Sequence, residues 1–163
     1  TPLKTVSWTN TLVGTIPGAL PVWMGWAAAE GSLWEVKAWV LLGVLVAWQL
    51  PHFMAIAFMY AEQYESAGYK MITIVDRTGW GAGLHAILGS IALIALAPLA
   101  VPATGWLTGV FTGLAVAVAV WQLWASIRFV QNQERQTARR MLHVSLLHLP
   151  LTMLLILIAS WLG

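Results

Sequence analysis

The chain has 163 residues, of which 60% are hydrophobic and only 9% are charged, whereas soluble domains carry roughly 25% charged residues. This composition excludes an ordinary soluble domain and predicts a membrane protein. The 8 basic and 6 acidic residues give a formal net charge of +2, which is too small for a nucleic-acid-binding surface. The chain contains no cysteine, so a disulfide framework and a thiolate metal site are excluded as well.

Five apolar stretches are long enough to cross a lipid bilayer, because a spanning helix needs about 20 mostly apolar residues. They predict an all-α, polytopic bundle of membrane helices in a single domain, residues 1–163, with spans at about 11–29, 36–60, 81–100, 106–130 and 141–162. The first residues carry neither a starting methionine nor a signal-peptide pattern. We therefore expect the chain to be the C-terminal part of a longer membrane protein.

The loops between these spans predict how the chain crosses the membrane, because cytoplasmic loops are enriched in Lys and Arg. One of the eight basic residues, Lys37, falls on one side, and the other seven fall on the opposite side: Lys4, Lys70, Arg77, Arg128, Arg135, Arg139 and Arg140. We therefore expect the polar loop over residues 62–80 on the cytoplasmic face of the cytoplasmic (inner) membrane, and the C-terminus on the other face.

The stretch WQLPHFMAIAFMYAEQYESAGYK, residues 48–70, places polar side chains inside an apolar span. Ionisable groups within a span are costly and usually face a protein interior or a cavity, which makes His52 a candidate functional residue. It lies about 12 Å below Tyr60 along the helix, and Gln49, three positions earlier, is expected on the same face. The alternative is a structural role in which both side chains only bind a neighbouring helix.

A second group of polar residues follows at the cytoplasmic end of the same span. Glu62 is about 15 Å from His52 along a continuous helix, so the two side chains cannot bind one metal ion. Carboxylates at such an end suit Mg²⁺, which retains waters and substrate phosphates, and Lys70 and Arg77 could bind a phosphate. An ordinary solvated loop would contain the same residue types, so the pattern alone leaves both interpretations open.

Several motifs of the chain together resemble one family. TPLK, NTLVGTIPGALPVWMGW, WQLPHFMAIAFMY, EQYESAGYKM and ARRMLHVSLLHLPL follow one another over nearly the whole chain. They are similar to the C-terminal half of the protoheme IX farnesyltransferases, or haem O synthases, a family of intramembrane prenyltransferases. The resemblance implies a nine-helix membrane fold and the transfer of the farnesyl group of farnesyl diphosphate to a vinyl group of protoheme IX, which gives haem O.

The resemblance also implies a metal and diphosphate site. Related prenyltransferases hold Mg²⁺ and diphosphate with two acidic motifs, and a match to the second motif makes Glu62 and Glu65 metal ligands. Lys70 and Arg77 would then contact the diphosphate. Gln63 stands where these enzymes commonly carry an aspartate, and the first, Asp-rich motif is missing from the sequence. The chain is therefore expected to contribute half of a catalytic site.

The catalytic residues implied by the same match are His52, Tyr60 and Tyr64. Aromatic faces can stabilise a cation, so Tyr60 and Phe53 are candidates to face an allylic carbocation, while Tyr64 would lie near the diphosphate. Gln49 and His52 would lie deeper and contact the substrate. There His52 would position the porphyrin or manage a proton.

The partners implied are farnesyl diphosphate, protoheme IX, and haem A synthase or the terminal-oxidase assembly. Other interpretations remain open. A quinone-precursor prenyltransferase would share the fold, although the sparse acids and the WQLPHF element argue against it. A non-catalytic haem-binding or electron-transfer subunit would use His52 and His148 as iron ligands, and a purely structural membrane protein is a further alternative.

Overall fold

The computed structural model describes residues 3–103 and 105–162. In chain order, its helices are α1 (Leu3–Val6), α2 (Asn10–Ala28), α3 (Val36–Met59), α4 (Ala61–Ser66), α5 (Ile72–Val75), α6 (Trp80–Ala100), α7 (Thr108–Gln131) and α8 (Arg135–Leu162). A 3₁₀ turn, Gly105–Leu107, leads into α7. The described residues contain no strand, and the predicted all-α helical bundle is confirmed.

Among the described residues, four helices are long and apolar enough, by length and composition, to cross a membrane: Val36–Met59, Trp80–Ala100, Gly105–Gln131 and Arg135–Leu162. The protein is therefore a multi-pass membrane protein. The first predicted span, residues 11–29, falls on α2, which has 19 residues and contains Pro17 and Pro21. That α2 also crosses the membrane stays a prediction.

The four membrane-length helices close into a ring. Helix α3 packs against α6, α6 against α7, α7 against α8, and α8 against α3, while α2 packs mainly on α3. Small side chains such as Ala55, Ala86 and Ala125 lie at the contacts and are at most 3% exposed. Helices in a membrane gain little from the hydrophobic effect, so their association depends on the close packing that small residues permit.

Pro51 and Gly89 form one of the closest contacts in this ring. A proline within a helix cannot donate a hydrogen bond to the carbonyl four residues earlier, which here belongs to Ala47. A Cβ atom added to Gly89 would lie 2.6 Å from that carbonyl oxygen and 2.9 Å from Cδ of Pro51. Helix α6 can therefore approach α3 beside Pro51 only because residue 89 has no side chain.

The segment between α3 and α6 folds back onto one end of the bundle. The Thr73 hydroxyl donates to the carbonyl oxygen of Ala57 at 2.9 Å, and Gly79, with φ of 77°, turns the chain into α6. The Lys70 N–H donates to the carbonyl oxygen of Lys4 at 2.7 Å. The N-terminal residues and the polar loop therefore meet at the same end of the molecule.

Candidate functional site

A cavity of about 560 Å³ opens between α2, α3 and the short N-terminal and loop segments. Its wall is mostly apolar and includes Leu3, Val13, Pro17, Phe53, Ile56 and Met71. The volume lies within the range of about 300 to 1,000 Å³ that is usual for ligand sites. A cavity with this lining suits a ligand that is largely apolar.

Part of the cavity wall is cationic and aromatic. Lys4, Tyr64 and Tyr69 line it, with Nζ of Lys4 5.5 Å from the centroid of the Tyr69 ring. The ring centroids of Tyr64 and Tyr69 are 6.1 Å apart. A lysine held over an aromatic face can still bind an anion through its remaining N–H donors. This part of the wall therefore suits the anionic head of an otherwise apolar ligand.

Asn10 connects the two segments that form this wall. Its Nδ2 donates to the carbonyl oxygen of Ser7 at 2.7 Å and to that of Lys70 at 2.8 Å. An amide has two N–H donors, so both are used, and the side chain is only 8% exposed. Asn10 thereby holds the polar loop against the start of α2.

Gln49 and His52, predicted to share a face of α3, contact different helices. Nε2 of Gln49 donates to the carbonyl oxygen of Thr15 on α2 at 3.2 Å, and its side chain lies against Gly18. Nδ1 of His52 is instead 3.0 Å from Oγ of Ser145 on α8. Residues three apart differ by about 60° around a helix, which is enough here to direct them to separate neighbours. Neither side chain lines the cavity.

The residues predicted to bind metal and phosphate lie on the exposed loop. Arg77 Nη2 and Glu65 Oε1 form an ion pair at 2.5 Å, with the side chains 73% and 49% exposed respectively. Exposed ion pairs contribute about 0 to 1 kcal/mol, so a phosphate or a metal ion could replace either partner. Glu62 and Lys70 are exposed, and Tyr60 is 45% exposed and lies outside the cavity wall.

The carboxylates of this loop fit only part of a magnesium site. Within residues 3–103 and 105–162, no group of three His, Cys, Asp or Glu side chains is placed to hold one metal ion. Magnesium can bind through one or two carboxylates together with phosphate oxygens and waters. The exposed Glu62, two positions before the cavity residue Tyr64, could supply one such ligand.

Of the predicted site residues, Phe53 and Tyr64 are brought together in the cavity wall. Lys4, Asn10 and Tyr69 were not among the predicted residues. The sequence does contain a signal for two of them, because Lys4 is a polar residue six positions before an apolar helix and Asn10 is the first residue of that helix. Their common role depends on contact with a loop about 60 positions away, which spacing along the chain does not reveal.

An apolar cavity with a cationic, aromatic wall, beside a ring of membrane-length helices, defines a membrane protein that suits an amphipathic, anionic ligand. The sequence matches the UbiA prenyltransferase family over residues 1–161, and the chain belongs to this family.

Individual relatives carry a more specific name. The chain is 44% identical over 160 residues to the protoheme IX farnesyltransferase of Rhodopirellula baltica, covering 94% of this chain and 56% of the relative. It is 38% identical over 164 residues to that of Salinibacter ruber, covering 99% and 56%. The human mitochondrial protoheme IX farnesyltransferase is 38% identical over 160 residues, covering 96% and 34%. The chain thus spans about half the length of the bacterial relatives. No solved structure matches it.

Proposed function

We propose that the protein transfers the farnesyl group of farnesyl diphosphate to a vinyl group of protoheme IX, giving haem O. The observation that carries this proposal is the apolar cavity whose wall includes Lys4, Tyr64 and Tyr69. A farnesyl chain with a diphosphate head combines the apolar and anionic character that this wall suits. The names of the similar proteins support the same donor group and acceptor. Because the chain covers 56% of these relatives, further site residues are expected outside it.

The diphosphate would bind at the cationic part of the cavity wall. Lys4 would donate to its oxygens, and Lys70 would add a second ammonium from the adjoining loop. Bound Mg²⁺ would neutralise charge on the diphosphate and make it a better leaving group. In this proposal Glu62 is a ligand supplied by the chain. Glu65 and Arg77 would bind metal and diphosphate respectively after their ion pair opens.

The reaction requires protection of a developing cation. The carbon–oxygen bond to diphosphate breaks with its electron pair remaining on oxygen, so positive charge develops on the allylic carbons. The rings of Phe53 and Tyr64 in the cavity wall could stabilise this charge. A vinyl carbon of the porphyrin then attacks, and water adds to the resulting cation with loss of a proton, leaving a hydroxylated farnesyl chain.

The remaining predicted residues have less direct access to this cavity. The His52 ring centroid is 5.6 Å from that of Phe53, so His52 could position a porphyrin or accept a proton at the edge of the site. Tyr60 and Gln49 stay predictions. Tyr60 is 45% exposed and the Gln49 amide is bound to Thr15, so each would have to change its contacts to reach a substrate.

A substitution that fills the cavity tests the proposal in the native-length protein. Gly14 lines the cavity, and a Cβ atom added to it meets nothing within 4 Å, so Gly14→Phe should fold and occupy the ligand space. We expect haem O formation from farnesyl diphosphate and protoheme IX to fall at least about tenfold, which corresponds to about 1.4 kcal/mol. Product is measured by chromatography and mass spectrometry.

Gly113→Phe is the matched control for this experiment. Gly113 on α7 is exposed, and a Cβ atom there also meets nothing within 4 Å, but the residue lies outside the cavity wall. Its variant should keep the wild-type rate. Prenylation of an aromatic acid in place of protoheme IX would identify a different acceptor, and an active Gly14→Phe variant would exclude this cavity as the farnesyl site.

We propose further that the protein lies in the cytoplasmic (inner) membrane with the loop over residues 62–80 on the cytoplasmic side. Contact with haem A synthase or the terminal-oxidase assembly also stays a prediction. The chain has no cysteine, so single-cysteine variants report sidedness once any cysteine elsewhere in the native-length protein has been replaced. A membrane-impermeant maleimide applied to right-side-out vesicles should label Ala103→Cys and not Ser66→Cys. The reverse labelling pattern would overturn the proposed orientation.

A further inference from the structure

Ser145 of α8 takes part in three hydrogen bonds, two of them with α3. Its carbonyl oxygen accepts from Nε1 of Trp48 at 2.6 Å, and its hydroxyl donates to the carbonyl oxygen of Leu142 at 2.7 Å. The third bond joins Oγ to Nδ1 of His52 at 3.0 Å. Ser145 is completely buried (0% exposed). The Trp48 and His52 rings stack with centroids 4.7 Å apart and planes inclined by 25°, so the imidazole is held at one edge and one face.

These contacts determine which nitrogen of His52 carries the proton. A serine hydroxyl has one hydrogen, and a carbonyl oxygen can only accept. The Ser145 hydroxyl and the Leu142 carbonyl are 2.7 Å apart, a distance at which two oxygens repel each other unless that hydrogen lies between them. The hydrogen is therefore unavailable to His52, and the Nδ1–H must donate to Oγ. In a neutral imidazole the other nitrogen, Nε2, then carries the lone pair.

We propose that Ser145 is a positioning residue that holds His52 as the Nδ1–H tautomer and leaves Nε2 as an acceptor. Nε2 can then bind a metal ion, such as iron in a porphyrin, or take a proton, but it cannot donate one. Among the described residues no polar atom is bonded to Nε2, and the ring is only partly buried. The assignment of a porphyrin or a proton to Nε2 rests on the proposed function, whereas the tautomer does not.

Nitrogen NMR of the native-length protein tests the tautomer directly. With ¹⁵N-labelled histidine, protonated and unprotonated ring nitrogens have well separated shifts, and a His52→Gln variant identifies the His52 signals among those of the other histidines. We expect wild-type His52 to show a protonated Nδ1 and an unprotonated Nε2. A protonated Nε2, alone or together with Nδ1, would overturn the proposal in the wild-type protein, before any variant is made.

Substitutions of Ser145 then test its role. Ser145→Ala removes the acceptor, so the Nε2–H tautomer should become populated, whereas Ser145→Thr keeps a hydroxyl and should restore the wild-type spectrum. The matched control is Ser126→Ala. Ser126 on α7 is also completely buried, and its hydroxyl hydrogen-bonds to the carbonyl oxygen of Gln122 at 3.1 Å and to the Ser90 hydroxyl at 3.0 Å, rather than to a histidine. An unchanged His52 spectrum in Ser145→Ala would remove Ser145 from the proposal.

Kinetics distinguish positioning from simple stability. Loss of a residue that orients a functional histidine typically costs about 10- to 100-fold, so kcat for haem O formation should fall at least about tenfold in Ser145→Ala and recover in Ser145→Thr. The Ser126→Ala variant should keep the wild-type kcat. An equal loss in both alanine variants would show a structural effect only. Absence of prenylated product from the wild-type protein, with the expected NMR tautomer, would refute the proposed function and leave the assignment of Ser145 intact.

Discussion

The ring of α3, α6, α7 and α8 and the flank formed by α2 bury their side chains to very different extents. Large ring residues such as Phe129 and Met141 are completely buried (0% exposed). Along its 19 residues, α2 buries only four: Asn10, Thr11, Thr15 and Ala19. Ile16 and Met24 on the same helix are 59% and 70% exposed, and the cavity opens beside it. The side chains are therefore closely packed within the ring, and the space for a ligand lies beside the flank.

The contacts of His52 and the residues of the cavity wall differ in the same way. His52, Trp48 and Ser145 lie at a contact within the ring, where hydrogen bonds hold them. Lys4 and Tyr69 line the cavity beside the flank, where the cavity wall depends on a few contacts between the N-terminal segment and the loop. Changes of volume should therefore affect stability in the ring and ligand binding in the flank.

The largest expected effect comes from adding one methyl group to the ring. In Gly89→Ala the new Cβ atom would overlap the carbonyl oxygen of Ala47 and Cδ of Pro51, and neither this backbone carbonyl nor the rigid proline ring can yield without separating α3 from α6. We expect a loss of about 3 kcal/mol in the free energy of unfolding in detergent. The measurement is a reversible denaturation curve, followed by circular dichroism.

Gly14→Ala on α2 is the matched substitution in the flank. A Cβ atom there meets nothing within 4 Å, and alanine favours a helix over glycine by up to about 1 kcal/mol. The free energy of unfolding should therefore stay the same or rise slightly. If Gly89→Ala and Gly14→Ala lowered the free energy of unfolding equally, the flank would be packed as closely as the ring, contrary to the difference in burial.

Replacing His148, which lies in the ring of helices, should have a smaller effect on the free energy of unfolding, and one of opposite sign. His148 is 1% exposed, and neither ring nitrogen has a hydrogen-bond partner in the part of the chain that the structure describes. A buried polar group without a partner costs about 1 to 3 kcal/mol, so His148→Leu should raise the free energy of unfolding by about that amount. Thr152→Val, which removes another buried, unpartnered atom, should act in the same direction.

The native-length protein provides the decisive version of this experiment. If His148→Leu lowers the free energy of unfolding or abolishes haem O formation in that protein, the His148 imidazole has a partner outside the described residues. In that case the interpretation of His148 as an iron ligand would regain support. A gain in stability with unchanged product formation would instead make His148 a residue that the fold tolerates without needing it.

Hydropathy identified the long helices because each apolar run exceeds the length needed to cross a membrane. Hydropathy identified the ends of the helices less well where a helix extends beyond its apolar run into polar residues. Helix α8 begins at Arg135, six positions before the predicted start at 141, since arginine and glutamine favour a helix although they are polar. The short helices α4 and α5 within the polar loop have no apolar run of membrane length and were not predicted.

The candidate site was only partly predictable for a related reason. Phe53 and Tyr64 could be selected because they are aromatic residues within motifs that resemble the family, and both line the cavity. Asn10 acts through the carbonyl oxygen of Lys70, a contact between distant segments that only the folded chain creates. Helical spacing grouped Gln49 with His52, but the positions of α2 and α8 around α3 determine which neighbour each side chain meets.

The smallest expected effect concerns Asp76, where the polar loop joins the ring. Its carboxylate accepts from the hydroxyl and the N–H of Thr78 and from the N–H of Gly81, the last at 2.6 Å. The Thr78 hydroxyl and the Gly81 N–H hold the pKa of Asp76 below its usual value. A carboxyl with a lowered pKa stabilises the fold fully above its unfolded value of about 3.9, and it loses this contribution as the pH falls through the lower, folded value.

Amide hydrogen exchange measures this effect at the bond itself. The Gly81 N–H should exchange faster, relative to its intrinsic rate, as the pH falls through the lowered pKa of Asp76, because protonation weakens its carboxylate acceptor. The Gly83 N–H, which donates to the Gly79 carbonyl at 2.9 Å, is the internal control and should keep its protection. Asp76→Asn should remove the pH dependence at Gly81 and cost under about 1 kcal/mol, because water reaches this carboxylate. If protection at Gly81 and Gly83 fell together, the whole end of α6 would be opening, and the ring would be less rigid there than its packing indicates.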